Sequence, residues 1–313
     1  MTPANIPVID AASLGTHEGR ERLDSALREW GVFRLHGHGL SAPLCADTLA
    51  VAAAFFAQPT PAKRRYERDA DNPWGFFDRE LTKNVQDWKE IFDIGAAHDA
   101  HAVPWPVEPA EFRGAMLEYF AAAEGVARRI VGAIADLFGV DSLDASFAGH
   151  TSFLRHNYYP PCADAAPADA PTDQLVPATG RLGIGHHTDA GAVTVLLQDD
   201  VPGLEVWQQG RWQLVPADPE ALIINTGDVV QVWSNDRYPA ALHRVRANSR
   251  LARRSCAFFF NPAPHVDYAP LPGACLTEPP RYRPINWAEF RGQRAAGDYA
   301  DVGEEIQIGA YRI

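Results

Sequence analysis

His187-Thr188-Asp189 places an imidazole and a carboxylate two residues apart, and a second imidazole, His243, follows in a later apolar run. On an extended segment side chains alternate with a period of two, so positions 187 and 189 share one face. His243 joins them if its strand returns beside the first. Two imidazoles and one carboxylate on one side of an ion form the donor set of non-haem iron(II) sites, which leave other positions open for dioxygen and substrate. Spacing alone leaves one alternative, unrelated polar residues of a β core. His186 would point to the face opposite Asp189. A second His-x-Asp, His265-Val266-Asp267, lies in a proline-flanked segment with no histidine after it, so it cannot complete a triad.

A second constellation follows. Alternation through Arg253-Arg254-Ser255 and beyond puts Arg253, Ser255, Ala257, Phe259 and Asn261 on one face. A guanidinium is a planar, permanently charged fork of donors, and with a neighbouring hydroxyl it can hold a carboxylate. A plain surface arginine is the competing reading. The same alternation aligns Arg155, Asn157 and Tyr159, and the Tyr159 hydroxyl could donate to the same carboxylate. Arg155 on the inward face hints at an anionic substrate. We expect that substrate to meet Arg155, Phe259 and Asn261, with Phe76 and Phe77 from the N-terminal half closing the pocket.

These residues need a scaffold that brings distant strands together. From about Thr151 the chain becomes a series of short β-branched and aromatic runs separated by Gly, Pro, Asn and Asp. The runs cover 153–159, 193–198, 204–208, 212–215, 221–225, 229–233, 241–246 and 255–261. Eight close strands without intervening helices predict two facing sheets, a double-stranded β-helix of the jelly-roll or cupin kind; a parallel α/β sheet would need helices between them. Before them the chain reads mostly helical. Thr16 caps a helix that Gly31 stops, with a short strand at 32–35; Ser41 caps a second helix to Phe56; and a helix-period stripe of Met116, Leu117, Phe120, Ile130, Ile134 and Leu137 spans 111–139. We divide the chain into an N-terminal helical and strand region (1–110), a support helix (111–150), the catalytic core (151–265) and a C-terminal segment packing on it (266–313). The Ala-, Pro- and Asp-rich stretch 163–180 lacks an apolar period and reads as a long surface loop, either a lid or an insertion without a role.

Composition narrows the function. The 313 residues are 46% hydrophobic and 22% charged, ample for a buried core. A net charge of −12 argues against nucleic acid, whose phosphates are neutralised by lysine and arginine. No run of about 18 apolar residues is present and the first residues lack a basic-then-apolar leader pattern, so we expect no membrane partner and a cytoplasmic location. Four scattered cysteines, Cys45, Cys162, Cys256 and Cys275, suggest free thiols.

Taken in order, the motifs resemble the isopenicillin N synthase-like family of iron(II)- and 2-oxoglutarate-dependent dioxygenases over nearly the whole chain. The N-terminal signs are Ile6-Pro7-Val8-Ile9-Asp10, Trp30-Gly31-Val32-Phe33 running to His38-Gly39, and Asp87-Trp88-Lys89-Glu90. The core signs are Asn157-Tyr158-Tyr159-Pro160, His187-Thr188-Asp189, Pro202-Gly203-Leu204, Asn225-Thr226-Gly227-Asp228, Trp233-Ser234-Asn235, His243-Arg244-Val245 and Arg253-Arg254-Ser255. The resemblance implies that His187, Asp189 and His243 bind Fe(II), that Arg253, Ser255 and Tyr159 hold the 2-oxoglutarate carboxylate with Asn157 beside them, and that O2 oxidises a small organic substrate with release of succinate and CO2. Hydroxylation is the default outcome, with desaturation or cyclisation as variants. Two departures stand out: the segment from Cys162 to His187 is longer than in the plant enzymes, and those enzymes tend to carry other polar residues at Arg155 and Asn261. Retention of Asp189 disfavours halogenation. Family members that do not use 2-oxoglutarate put the same Arg and Ser on the substrate's own carboxylate, so the alternative is an isopenicillin N synthase-like oxidase. A cupin-like binding module without redox chemistry is the remaining class. Oligomeric state leaves no mark in the sequence.

Overall fold

The computed structural model describes residues 5–167, 169–177, 179–299 and 306–313, with side chains from 295 to 299 left aside. Its frame is an eight-stranded sheet and a facing four-stranded sheet, rather than a closed barrel. In the major sheet the order is Val8–Asp10, Val32–His36, Leu222–Thr226, Val193–Gln198, Arg253–Phe260, Phe153–Tyr159, Glu90–Gly95 and Gly75–Phe77. The minor sheet runs Arg211–Leu214, Leu204–Gln208, His243–Arg246 and Leu182–His187.

The major sheet is buried on both faces because each strand alternates between two cores. Along Arg253–Phe260, the residues Cys256, Phe258 and Phe260 point to a helical layer, where Phe258 meets Phe120 edge-on at 4.9 Å. Arg253, Ser255, Ala257 and Phe259 point the other way, into the space between the sheets. The helical layer is built by Ala42–Phe56 and Phe112–Leu137, which pack on each other and on the central strands. The stripe expected on the long helix is present, with Met116, Phe120, Ile130 and Ile134 buried; Leu117, at 40% exposure, falls outside it. Each helix end follows local chemistry. The Thr16 and Ser41 hydroxyls accept from the Gly19 and Leu44 amides, and Gly31, at φ 64°, closes the first helix by donating back to Ala26 and Leu27 carbonyls.

Two expectations need correction, and one open reading gains a definite place. The run 229–233 is helical, within Asp228–Trp233, where an apolar stretch buried on all sides carries no period to tell strand from helix. The N-terminal third contributes two strands to each edge of the major sheet, so it is less helical than its pattern suggests. The stretch 163–180, of which residues 168 and 178 lie outside the described set, lies against the minor sheet instead of over the space between the sheets: Trp212 donates from its amide and indole to the Thr172 and Gln174 carbonyls, and Arg244 donates to Leu175. Among the described residues no single helix is long and apolar enough to cross a membrane.

Candidate active site

His187 ends one minor-sheet strand and His243 begins its antiparallel neighbour, and the two are register partners. That pairing brings the rings to 4.3 Å between centroids. Asp189 lies just past the strand end and turns back to them. The Asp189 Oδ1 atom stands 3.7 Å from Nε2 of each histidine, and the three donor atoms lie within 4.8 Å of one another. Metal–nitrogen and metal–oxygen bonds of about 2.1 Å set neighbouring donors about 3–4 Å apart, so the group fits one ion.

The supporting contacts fix which atoms face inward. Each histidine gives Nδ1 to a carbonyl two residues back, His187 to Gly185 and His243 to Ala241, both at 2.9 Å. Donation from Nδ1 leaves Nε2 bare toward the centre. Burial, then the neighbouring His243, pushes the His187 pKa down to about 3, so its imidazole is neutral at physiological pH. Asp189 is buried, which alone would raise its pKa; His243, His187 and donors from Thr194 and Asn225 together outweigh that and hold it below the usual carboxylate value. Those donors are Thr194 Oγ1 at 2.5 Å and Asn225 Nδ2 at 2.7 Å, both on Oδ2, which keeps Oδ1 turned to the histidines. The backbone behind is tight: a Cβ on Gly227 would come 2.4 Å from the Asp189 and Gly191 carbonyl oxygens, so only glycine fits there. Thr194 and Asn225 went unassigned in the sequence; a buried Asn amid an apolar strand was the available signal.

Across the space, Arg253 is register partner to Tyr159 and Ser255 to both Asn157 and Gln198, so the expected row forms. The Arg253 guanidinium is 2% exposed, donates to Gln198 Oε1 at 3.1 Å and reaches Ser255 Oγ at 3.5 Å, and its Nε has no partner. No carboxylate lies within ion-pair reach of it among the described residues, although it lines the same cavity as the histidines. The Asn157 Oδ1 atom is also buried without a partner. A buried cation without an anion is costly, and this one faces a space that a ligand carboxylate can fill.

Other expected contacts divide. Phe259 and Asn261 line the cavity, Phe259 stacked on Phe153 at 4.7 Å. Arg155 lines it too, but its charge is matched: Nε meets Asp93 at 2.7 Å and NH2 meets Glu80 at 2.9 Å. The argument from Arg155 to an anionic substrate therefore loses its basis. Phe76 and Phe77 do not reach the cavity: Phe76 is fully buried under the helices against Phe55, and Phe77 lies between the Arg68 and Arg79 guanidinium groups. The wall expected from them is polar. Glu80 takes Lys89 at 2.8 Å and Arg68 at 3.3 Å, Lys89 reaches Asp87 at 3.1 Å, and Arg68 reaches Asp93 at 3.2 Å. With Arg155 this makes three cations against three carboxylates. Burial would neutralise Glu80 and Lys89, but Arg155 and Lys89 hold Glu80 ionised and Glu80 with Asp87 keeps Lys89 charged. A further part of the wall comes from the helix Trp287–Tyr299, which packs beside Leu81–Thr82 and contributes Trp287, Arg291 and Arg294; the sequence did not signal it. His186 sits near Trp212, away from the centre, and the His265-Val266-Asp267 copy lies on the surface at both His265 and Asp267.

A facial His-Asp-His group and a buried unpaired arginine between two antiparallel sheets define a non-haem iron oxygenase. The chain belongs to the 2OG-Fe(II) oxygenase superfamily, whose model matches residues 150–262, and residues 6–111 match the non-haem dioxygenase N-terminal model. It is 30% identical over 298 residues to jasmonate-induced oxygenase 4 of Arabidopsis thaliana, covering 91% of this chain and 81% of that one. It is 33% identical to the 1-aminocyclopropane-1-carboxylate oxidase of Musa acuminata, covering 95% and 93%. Among solved structures it is similar to JOX2 in complex with 2OG, Fe and JA, at 31% identity and a TM-score of 0.81 over 92% of this chain and 84% of that one. The rice dioxygenase for auxin oxidation aligns at 27% identity and a TM-score of 0.79 over 99% and 100%. The chain is thus an Fe(II)- and 2-oxoglutarate-dependent dioxygenase, an oxidoreductase acting with O2.

Proposed function

We propose that His187, Asp189 and His243 hold Fe(II), that Arg253, Ser255 and Tyr159, with Asn157, receive 2-oxoglutarate, and that a small organic substrate is hydroxylated in the cavity between them and Phe259 and Asn261. The observation that carries this is Arg253: buried, without a carboxylate partner, and facing the same cavity as the three converging donors. The iron, 2-oxoglutarate and dioxygen together supply the oxidising power, and the co-substrate leaves as succinate and CO2.

The chain's own part is orientation. Arg253 offers its fork to the distal carboxylate, and the Tyr159 and Ser255 hydroxyls are placed to donate to the same group. Thr194 and Asn225 keep Asp189 from rotating. The wall of Glu80, Lys89 and Arg155, whose charge is balanced by Asp87, Asp93 and Arg68 behind it, favours a substrate without net charge on that side and can hydrogen-bond its polar groups. Desaturation or cyclisation would follow from substrate placement in the same site. Four free thiols fit a reducing compartment, and we assign the enzyme to the cytoplasm.

The test is succinate release from anaerobically iron-loaded protein given 2-oxoglutarate and air. Slow release by the native protein, lost in His187→Ala and in Arg253→Ala, is expected. Succinate release unchanged in both variants would defeat the assignment.

A further inference from the structure

The metal turn is held from outside the sheets, by the C-terminal helix. Arg294 is 5% exposed, and its NH2 donates to the Thr188 carbonyl at 2.8 Å and to Thr188 Oγ1 at 3.0 Å. Its NH1 lies 3.2 Å from Asp228 Oδ2 and donates to the Ile306 carbonyl at 3.2 Å. Thr188 Oγ1 in turn donates to Asp228 Oδ1 at 3.1 Å, and the Asp228 amide donates to the Asp189 carbonyl at 2.8 Å. Thr188 is the residue between two candidate ligands. One guanidinium therefore ties the helix, the strand-to-helix corner at Asp228 and the His187–Asp189 peptide into one unit.

The same helix forms a cavity wall, and it is seated at its start by Trp287, whose indole donates to Thr151 Oγ1 at 2.7 Å. We infer that Arg294 is a positioning residue that couples the seat of the C-terminal helix to the metal centre. Coupling between two sites is reciprocal. A seated helix fixes the spacing of His187 and Asp189 and tightens metal binding; a bound metal fixes that turn and tightens the helix. Seating the helix and loading iron are then linked events. The inference rests on the iron reading of the triad.

Two readouts test it without turnover: Fe(II) affinity under anaerobic conditions, and amide hydrogen exchange over residues 287–294 with and without Fe(II). Exchange in the native protein should slow several-fold on adding Fe(II). In Arg294→Ala, affinity should fall about 10- to 100-fold, the range for removing an outer partner of a metal ligand, and the metal-dependent protection should vanish. Arg294→Lys should recover part of both, since it keeps the charge toward Asp228 but cannot span both Thr188 oxygens. Gln293→Ala, which loses contacts of the same helix to Glu289 and Tyr311 but none to the turn, should keep native Fe(II) affinity. Native affinity in a folded Arg294→Ala protein, or a helix whose exchange ignores bound iron, overturns the coupling. If Arg294→Ala does not fold, Thr188→Val removes only the hydroxyl arm and should shift both readouts the same way; no shift there also overturns it. Full iron affinity in His187→Ala would instead sink the metal assignment beneath it.

Discussion

Arg253→Met separates ligand binding from folding. The methionine approximates the aliphatic stem, so the substitution mainly removes the charged fork. In the free protein that fork meets Gln198 and, at the limit of reach, Ser255, with Nε unpartnered and no anion in contact. Its burial is therefore weakly compensated, and its loss should leave the melting temperature within about 2 °C of native or above it. With 2-oxoglutarate bound the position is reversed. Removing one partner of a buried ion pair costs about 3–5 kcal/mol, which is roughly two to more than three orders of magnitude in affinity. Arg253→Lys should lose less, because the charge survives while the bidentate geometry does not. Calorimetric titration of the anaerobic Fe(II) protein with 2-oxoglutarate measures the first quantity and thermal melts of the metal-free protein the second. Unchanged affinity would refute the carboxylate anchor. A melting temperature that falls in step with affinity would show that Arg253 serves the fold.

Asn225→Ala frees Asp189 Oδ2 from one of its two donors and should weaken Fe(II) binding about 10- to 100-fold, read by competition with a chelator; native affinity would remove Asn225 from the site. Arg155→Ala leaves Asp93 and Glu80 short of a cation and should destabilise the fold by about 3–5 kcal/mol, near 5–8 °C in melting temperature. A raised substrate KM with an unchanged melt would restore Arg155 as a substrate contact. Burial holds His156 neutral down to about pH 3, against an ordinary value of 6.5, so its contribution to stability is complete above pH 6.5 and is lost as pH falls toward 3. Between those limits His156→Gln should flatten the pH dependence of metal-free stability by about 1.4 kcal/mol per pH unit in urea titrations; an unaltered slope would show that His156 does not set it.

What the sequence disclosed and what it hid follow from the range of the interactions. Alternation is local, so the rows Arg253, Ser255, Phe259 and Arg155, Asn157, Tyr159 could be read directly, and the structure sets them side by side. The charge state of Arg155 was not legible, because its partners Asp93 and Glu80 arrive from distant segments. For the same reason Phe76 and Phe77 were misplaced: the pattern marks them as apolar without saying that Phe76 enters the core under the helices or that Phe77 lies between two guanidinium groups. The helix carrying Arg294 went unread, because beyond Trp287 and Phe290 its apolar residues are mostly alanine and two glycines, Gly292 and Gly297, interrupt it. The run 229–233 was misread because a segment buried on every side loses the periodicity by which a helix is recognised.

The division of labour around the cavity bears on how such an enzyme diversifies. The arginine row and His243 come from strands paired on both sides, whereas His187 and Asp189 stand at the end of the minor sheet's edge strand and are held there by Thr194, Asn225 and Arg294. The remaining wall comes from outside the core strands: Glu80, Thr82 and Lys89 from the N-terminal third, and Trp287, Arg291 and Arg294 from the C-terminal helix that packs beside them. Mutations that reshape what the cavity admits can accumulate in those outer stretches while the oxidising centre stays as it is. New substrates are then reached by altering the walls of a fixed furnace, with one restriction: at Arg294 the wall and the centre share a residue, so a change there alters the chemistry as well as the fit.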